Sequence, residues 1–319
     1  MALICVGGVT IDRKLKSTHY LQLGTSNPVS SMSTFGGVAH NVAKNLAQLT
    51  DNIHVHSVVG DDNNGRQVIA HLKNSGINSN DILILKHQTT AHYDAILDNN
   101  GELYLALADM AIFDTIPLDL FTKSWHEWNE GDLIFLDANP PKEILLYAVQ
   151  FARTKNISVC IDPVSVTKAA KIPIRLDDVY LIKPDRLEAE ALTGIRINSI
   201  SDCIKAGKVL LTRGVQNCII SLGSLGYVIA NEDIQQHFPA ILTDSIVDVS
   251  GAGDAFIAGI LYALKQGASI VDACQLGAAL AALTVQSPHT VNETITLSKL
   301  KTLQINTVPL DEMNHAAIF

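Results

Sequence analysis

The sequence predicts an α/β sandwich: a mostly parallel sheet, helices on both of its faces, and a small β-sheet lid over one edge. Short β-rich runs alternate with stretches of helical periodicity from end to end, the pattern of repeated βα units. The runs are largely apolar, as strands covered on both faces must be. Two segments, 12–35 and 90–108, break this rhythm and supply the lid.

In chain order, Leu3–Val6 reads as a buried strand. Ala39, Val42, Ala43, Leu46 and Ala47 then fall at i, i+3, i+4, i+7 and i+8, one face of a helix. A strand is predicted over 53–59, a helix marked by Val68, Ile69 and Leu72 and stopped by Gly76, and a strand over 82–85. Segment 12–35 is alternating and polar without helical period. Segment 90–108 reads as a hairpin, His92–Leu97 and 103–108 joined at Asn99, Asn100 and Gly101, and the lid is expected to be antiparallel. Further strands are expected over 133–136, 157–161, 179–182 and 218–222, with a helix over 143–153. Three helices near 254–266, 270–286 and 297–303 close the pattern. No repeat or linker interrupts it, so one domain is expected over 1–306, followed by a tail at 307–319.

Composition narrows the function. Of 319 residues 47% are hydrophobic and 17% charged, enough to bury a large core. A net charge of −9 argues against nucleic acid or an anionic membrane as partner. It leaves room for a phosphate ligand, because backbone N–H groups hold anions without a basic surface. Five scattered cysteines without a C-x-x-C suggest neither disulfides nor a zinc knuckle. The first residues lack a signal-peptide pattern, and no run reaches membrane-span length, so a reduced, cytoplasmic setting is expected. His54 and His56 alternate on a strand with no third ligand nearby, which favours a structural role.

The strongest chemical signal is D-V-S-G-A-G-D-A-F-I-A-G-I over 248–260, a small-residue turn opening into an apolar helix. Gly251 and Gly253 allow close backbone approach, and the N–H groups of Gly251, Ala252, Gly253 and Asp254 become first-turn donors at a helix N-terminus, an anion hole. Asp254 on the same turn can take the proton of an acceptor hydroxyl beside a bound phosphate. Taken alone, a G-A-G-D is better explained as a capped tight turn. The second signal is F-G-G-V-A-H-N-V-A-K-N-L-A over 35–47. Here Gly36 and Gly37 precede a helix, and Asn41 on its first turn offers a donor and an acceptor to a sugar hydroxyl. Asp137 and Asp162 end strands on the edge where α/β proteins bind ligands, and rank below Asp254.

Together these two stretches resemble the paired signatures of the ribokinase-like (PfkB-type) carbohydrate kinases, and the resemblance runs in order over roughly 1–306. It implies a ribokinase-like three-layer sandwich that transfers phosphate from ATP to a sugar or nucleoside. It implies Asp254 as catalytic base, 251–254 as anion hole, and Asp12, Gly36, Gly37 and Asn41 as the sugar site. The G-x-D-x-x-G segment at 60–65 also matches, although a strand-to-helix turn explains it equally. Asp185 and Glu188 match the family's N-x-x-E element, with Asp in place of the usual Asn, which implies Mg²⁺ held by Glu188 through water. Ser221, Gly223 and Gly226 match a turn lining the nucleotide; this turn leads into a strand, the wrong context for an NAD fingerprint. Val249 and Thr50 depart from residues common in the family, Thr and Gly respectively.

Residues 25–28, 108–110 and 162–165 with Lys168 are similar to the pseudouridine kinase branch, with Thr25, Asn27 and Asp109 as candidate base contacts. Ribokinase or another nucleoside kinase is the alternative within the family. A catalytically inactive sugar-binding regulator is the alternative from another class, and the intact Asp254 and Glu188 argue against it. The sequence leaves a requirement for a monovalent cation undecided, and exposed lid strands allow a homodimer.

Overall fold

The computed structural model describes residues 1–243 and 245–302; the expected tail at 307–319 lies outside the described residues. β1 (Leu3–Val6) is wholly buried, and β2 (Thr10–Ser17) and β3 (Val29–Gly36) form a hairpin. α1 (Val38–Ala47) buries Ala39, Val42, Ala43 and Leu46, the stripe set by their spacing. The single strand expected over 53–59 is two, β4 (Ile53–His56) and β5 (Val58–Gly60). They part at Ser57, whose hydroxyl donates to the Gly7 carbonyl. β5 then pairs with β6 (Leu83–Leu85), after α2 (Asn63–Asn74). Asp62 caps α2, accepting from the Gly65 N–H at 2.7 Å, and accepts from the Thr90 hydroxyl at 2.6 Å.

The expected hairpin is β7 (His92–Leu97) and β8 (Leu103–Asp109). Single-turn helices α3 (Ala111–Asp114) and α4 (Leu118–Phe121) lead to β9 (Leu133–Asp137). Then follow α5 (Lys142–Lys155), β10 (Ser158–Asp162), α6 (Val166–Ala169), β11 (Leu181–Ile182), α7 (Arg186–Thr193) and α8 (Ile200–Thr212). The chain continues through β12 (Asn217–Ser221), β13 (Tyr227–Ala230), β14 (Gln235–Phe238), α9 (Ala252–Lys265), α10 (Ile270–Thr284) and α11 (Leu297–Thr302). α8 escaped the periodicity because much of its buried stripe, Cys203, Ala206 and Gly207, is small.

Eight strands form the main sheet in the order β14-β13-β12-β11-β10-β9-β1-β4, parallel from β4 to β12 and antiparallel through β13 and β14. Alternate residues feed two cores. Ile4, Val6, Ile134 and Leu136 join one, and Leu3, Cys5, Leu133 and Phe135 join the other, with α1, α9 and α10. That gives three layers. β1 lies between β4 and β9, so the chain steps from β1 to one side and later returns to the other. Such a reversal opens a crevice at the carboxyl ends of the strands.

The small sheet runs β3-β2-β7-β8 and contains both segments that broke the βα rhythm. The sequence predicts an antiparallel lid, but β2 and β7 pair in parallel, because each opens a separate hairpin that leaves the core in the same direction. β8 exposes Leu103, Leu105 and Leu107. All five cysteines are free and buried. His56 is buried against Trp125 and Trp128 and pairs with Asp81 at 3.2 Å, a structural role. Among the described residues no helix is long and apolar enough to cross a membrane.

Candidate active site

The carboxyl ends of β1, β9, β10 and β11 meet the first turn of α9 at one edge of the main sheet. Gly251, the N-cap of α9, has φ 79°, and a Cβ there would lie 2.1 Å from the Thr290 carbonyl oxygen, so only glycine fits. The Ala252 N–H turns back to the Val249 carbonyl at 3.3 Å. The N–H groups of Gly251, Gly253 and Asp254 have no acceptor among the described residues. Of the four amides expected to form an anion hole, three are therefore free to do so.

Asp254 meets α1 across this turn: Asn41 Nδ2 donates to Asp254 Oδ2 at 2.8 Å. Burial, with Asp162 and Asp137 adding to it, lifts the Asp254 carboxyl to about 7, against the Asn41 hydrogen bond and the Lys183 charge. α1 is brought there by Asp137 at the end of β9. Its carboxylate accepts from the N–H groups of Gly8 at 2.8 Å, Ala39 at 3.0 Å and Asn139 at 2.8 Å, and from the Asn139 amide at 2.9 Å. Asp137 is thus spent on joining β1, β9 and α1. Gly37 caps α1 at φ 94°, where a Cβ would lie 2.4 Å from the Gly8 carbonyl oxygen. Asp12 on β2 accepts from the Thr10 hydroxyl at 2.7 Å, and a Cβ on Gly36 would fall 2.0 Å from Asp12 Oδ2. Burial holds the Asp12 carboxyl above its ordinary range.

On the other flank Lys183 Nζ pairs with Asp162 Oδ2 at 3.0 Å. The same ammonium lies 3.8 Å from where a Cβ on Gly253 would project, so a buried cation sits beside the turn that carries the free amides. Burial works to lower the Lys183 pKa, but Asp162, Glu188 and Asp254 together hold it above the ordinary lysine value. Asp185 and Glu188 form the capping box of α7: Asp185 Oδ1 accepts from the Glu188 N–H at 2.7 Å, and Glu188 Oε2 accepts from the Asp185 N–H at 2.8 Å. Burial, with Asp162 beside it, lifts the Glu188 carboxyl to about 7. Sequence reasoning passed over Lys183, although a lysine ending an apolar strand was the available signal.

Ser221 adjoins this region, its N–H donating to the Pro184 carbonyl at 3.0 Å, and the turn through Gly223 and Gly226 leads into β13. Thr25 and Asn27 sit at the exposed far end of the β2–β3 hairpin. The Asn27 amide is spent on its own loop, with Gln22 and the Thr25 carbonyl. Among the described residues no hydrogen bond or ion pair joins either residue to Asp254. Asp109 departs from expectation through register. It pairs with His92, which pairs with Ile11, whereas Asp12 is in line with Thr34, Tyr93 and Ala108. Side chains alternate along strands, so Asp109 lies on the face turned away from Asp12. Thr34 and Tyr93 are the cross-strand neighbours of Asp12, and sequence reasoning missed both.

A family model described as pfkB family carbohydrate kinase matches residues 1–297. The pseudouridine kinase of Escherichia coli (strain K12) is 28% identical over 303 residues, covering 95% of this chain and 96% of that protein. A putative sugar kinase from Clostridium perfringens superposes with a TM-score of 0.81 at 30% identity, covering 94% of each chain. Ribokinase from Thermotoga maritima, at 23% identity, shares the fold with a TM-score of 0.82 over 94% of this chain and 98% of that one.

Proposed function

The chain belongs to the pfkB family of carbohydrate kinases and is an ATP-dependent sugar or nucleoside kinase, and from that premise we propose that its acceptor is the 5′-hydroxyl of pseudouridine. The observation that carries the chemistry is Asp254, on the first turn of α9 beside three free amides and facing Lys183. The support for the acceptor is the likeness to a protein named pseudouridine kinase over nearly its whole length, together with the branch marks at 25–28, 108–110 and 162–165.

In this reading Asp12, Gly37 and Asn41 hold the ribose, and the small sheet is a lid that closes over it. Asp254 takes the proton of the 5′-hydroxyl as its oxygen bonds to the γ-phosphorus and the bond to the β-phosphate oxygen breaks, releasing ADP. A carboxyl lifted to about 7 suits a base working near neutrality. Charge on the transferring oxygens meets the amides of Gly251, Gly253 and Asp254 and the Lys183 ammonium, fixed before the reaction begins. The 221–226 turn and Asp185 line the nucleotide.

Among the described residues no three His, Cys, Asp or Glu side chains are grouped to cage a metal ion. Glu188 keeps one carboxylate oxygen outside the capping box, which fits Mg²⁺ held by one carboxylate, phosphates and water. The ion would neutralise phosphate charge. The exposed leucines of β8 support a homodimer through the lid. The test is kcat/KM for pseudouridine, uridine, ribose and adenosine at one saturating ATP concentration. Pseudouridine is expected to lead, because the C-nucleoside carries a ring N–H that uridine lacks, and an acceptor left unpaired discriminates strongly. Ribose or adenosine leading would overturn the acceptor.

A further inference from the structure

His40 precedes Asn41 on α1 and is 3% exposed. Its Nδ1 lies 3.0 Å from Asn41 Oδ1, while the other end of the same amide donates to Asp254. An asparagine amide is nearly symmetric in shape, and rotation by half a turn would set its oxygen against the Asp254 carboxylate. We infer that His40 is a positioning residue: its Nδ1–H fixes the Asn41 amide so that Nδ2 faces the catalytic carboxylate.

The inference rests on Asp254 being the base, and geometry supports the rest. Asn41 Oδ1 can only accept, so His40 Nδ1 must carry the hydrogen. The ring is neutral near pH 7, because burial lowers its pKa to about 4, so Nε2 keeps a bare lone pair. Nε2 is buried without a partner. An unpaired acceptor there is the lesser cost, since the opposite tautomer would orphan an N–H and set two acceptors together. The ring is held in place by the His71 ring at 5.3 Å, itself stacked on Phe35 at 4.0 Å. The Lys44 ammonium adds positive charge that disfavours a charged ring. No hydrogen bond joins His40 to Asp254, Asp162 or Lys183, so any effect on the base runs through Asn41.

Two amide substitutions separate positioning from packing. In His40→Asn the side-chain nitrogen can occupy the place of Nδ1, and in His40→Gln that of Nε2. His40→Gln is expected to lose about tenfold in kcat, the worth of one misplaced hydrogen bond, while His40→Asn stays within about twofold. The nucleotide KM should not change in either. Equal kcat in the two variants, with similar thermal unfolding, overturns the assignment. Imidazole nitrogen NMR shifts of His40 read the tautomer without turnover: an Nδ1–H ring supports the inference and an Nε2–H ring overturns it. Asp254→Asn measured alongside keeps the premise separate, since turnover surviving there removes the base and leaves the tautomer to decide the position of His40.

Discussion

Lys183 and Asp162 form an ion pair at 3.0 Å with side chains only 5% and 7% exposed, at the ends of adjacent strands and facing the first turn of α9. A charge pair so dry is kept at a cost in desolvation. Here the cation also sits beside a turn with three amides that have no acceptor among the described residues, an arrangement suited to an anion.

Lys183→Met should therefore lower kcat by about 10²–10³, the usual effect of removing one donor to a developing anion. It should also destabilise the fold, because Asp162 is left buried and unpaired. The double variant Lys183→Met with Asp162→Asn should recover thermal stability without recovering turnover. Recovery of both would make the pair purely structural.

Asp254→Asn should lower kcat by about 10²–10⁴ while nucleotide and acceptor still bind, as measured by calorimetry. In the wild type, kcat/KM for the acceptor should fall as pH drops below about 7, where Asp254 becomes protonated. A profile flat from pH 8 to 5 would remove Asp254 as base.

The same carboxyl makes a stability prediction of opposite sense. Asp254 and Glu188 are held near 7 in the fold, above the unfolded value, so the native state binds more protons in the interval between. Stability from this source is complete below the unfolded pKa and is lost as pH rises through about 7. Asp254→Asn should accordingly melt above wild type at pH 8, with the gap closing toward pH 5. A gap that widens toward pH 5 contradicts the burial argument.

Gly36→Ala should raise the acceptor KM with little change in nucleotide binding, since the new methyl would displace the Asp12 carboxylate it overlaps. An unchanged KM would take Asp12 out of the acceptor site.

Glu188→Gln should raise the Mg²⁺ concentration needed for half-maximal rate, while the Gln carbonyl still accepts the Asp185 N–H and preserves the helix cap. A titration identical to wild type would leave Glu188 as a cap alone.

Much of this site was legible because it is local in sequence. The turn before α9, the glycines before α1 and the period of both helices are written within a dozen residues each. What escaped depends on which strands are neighbours. Lys183 gains its meaning only from β10 and β11 lying side by side, which sets it against Asp162. Asp109 and Thr34 exchange importance through the register of four strands drawn from two distant segments. Asp62 was readable as a turn and proved to be a cap. The split at Ser57 turns on one hydroxyl reaching the Gly7 carbonyl, a contact that strand propensity does not encode.

Lys14 on β2 reaches Asp248, just ahead of the glycine turn that opens α9, at 3.3 Å, and both side chains remain partly in solvent, 42% and 24% exposed. Ions in the medium therefore compete with this link, which is worth about 0–1 kcal/mol. A neutral nucleoside has no charge of its own for salt to screen. If the small sheet closes over the acceptor as proposed, the acceptor's affinity should nonetheless weaken by a few-fold as ionic strength rises, because that sheet is fastened to the core through a charge pair.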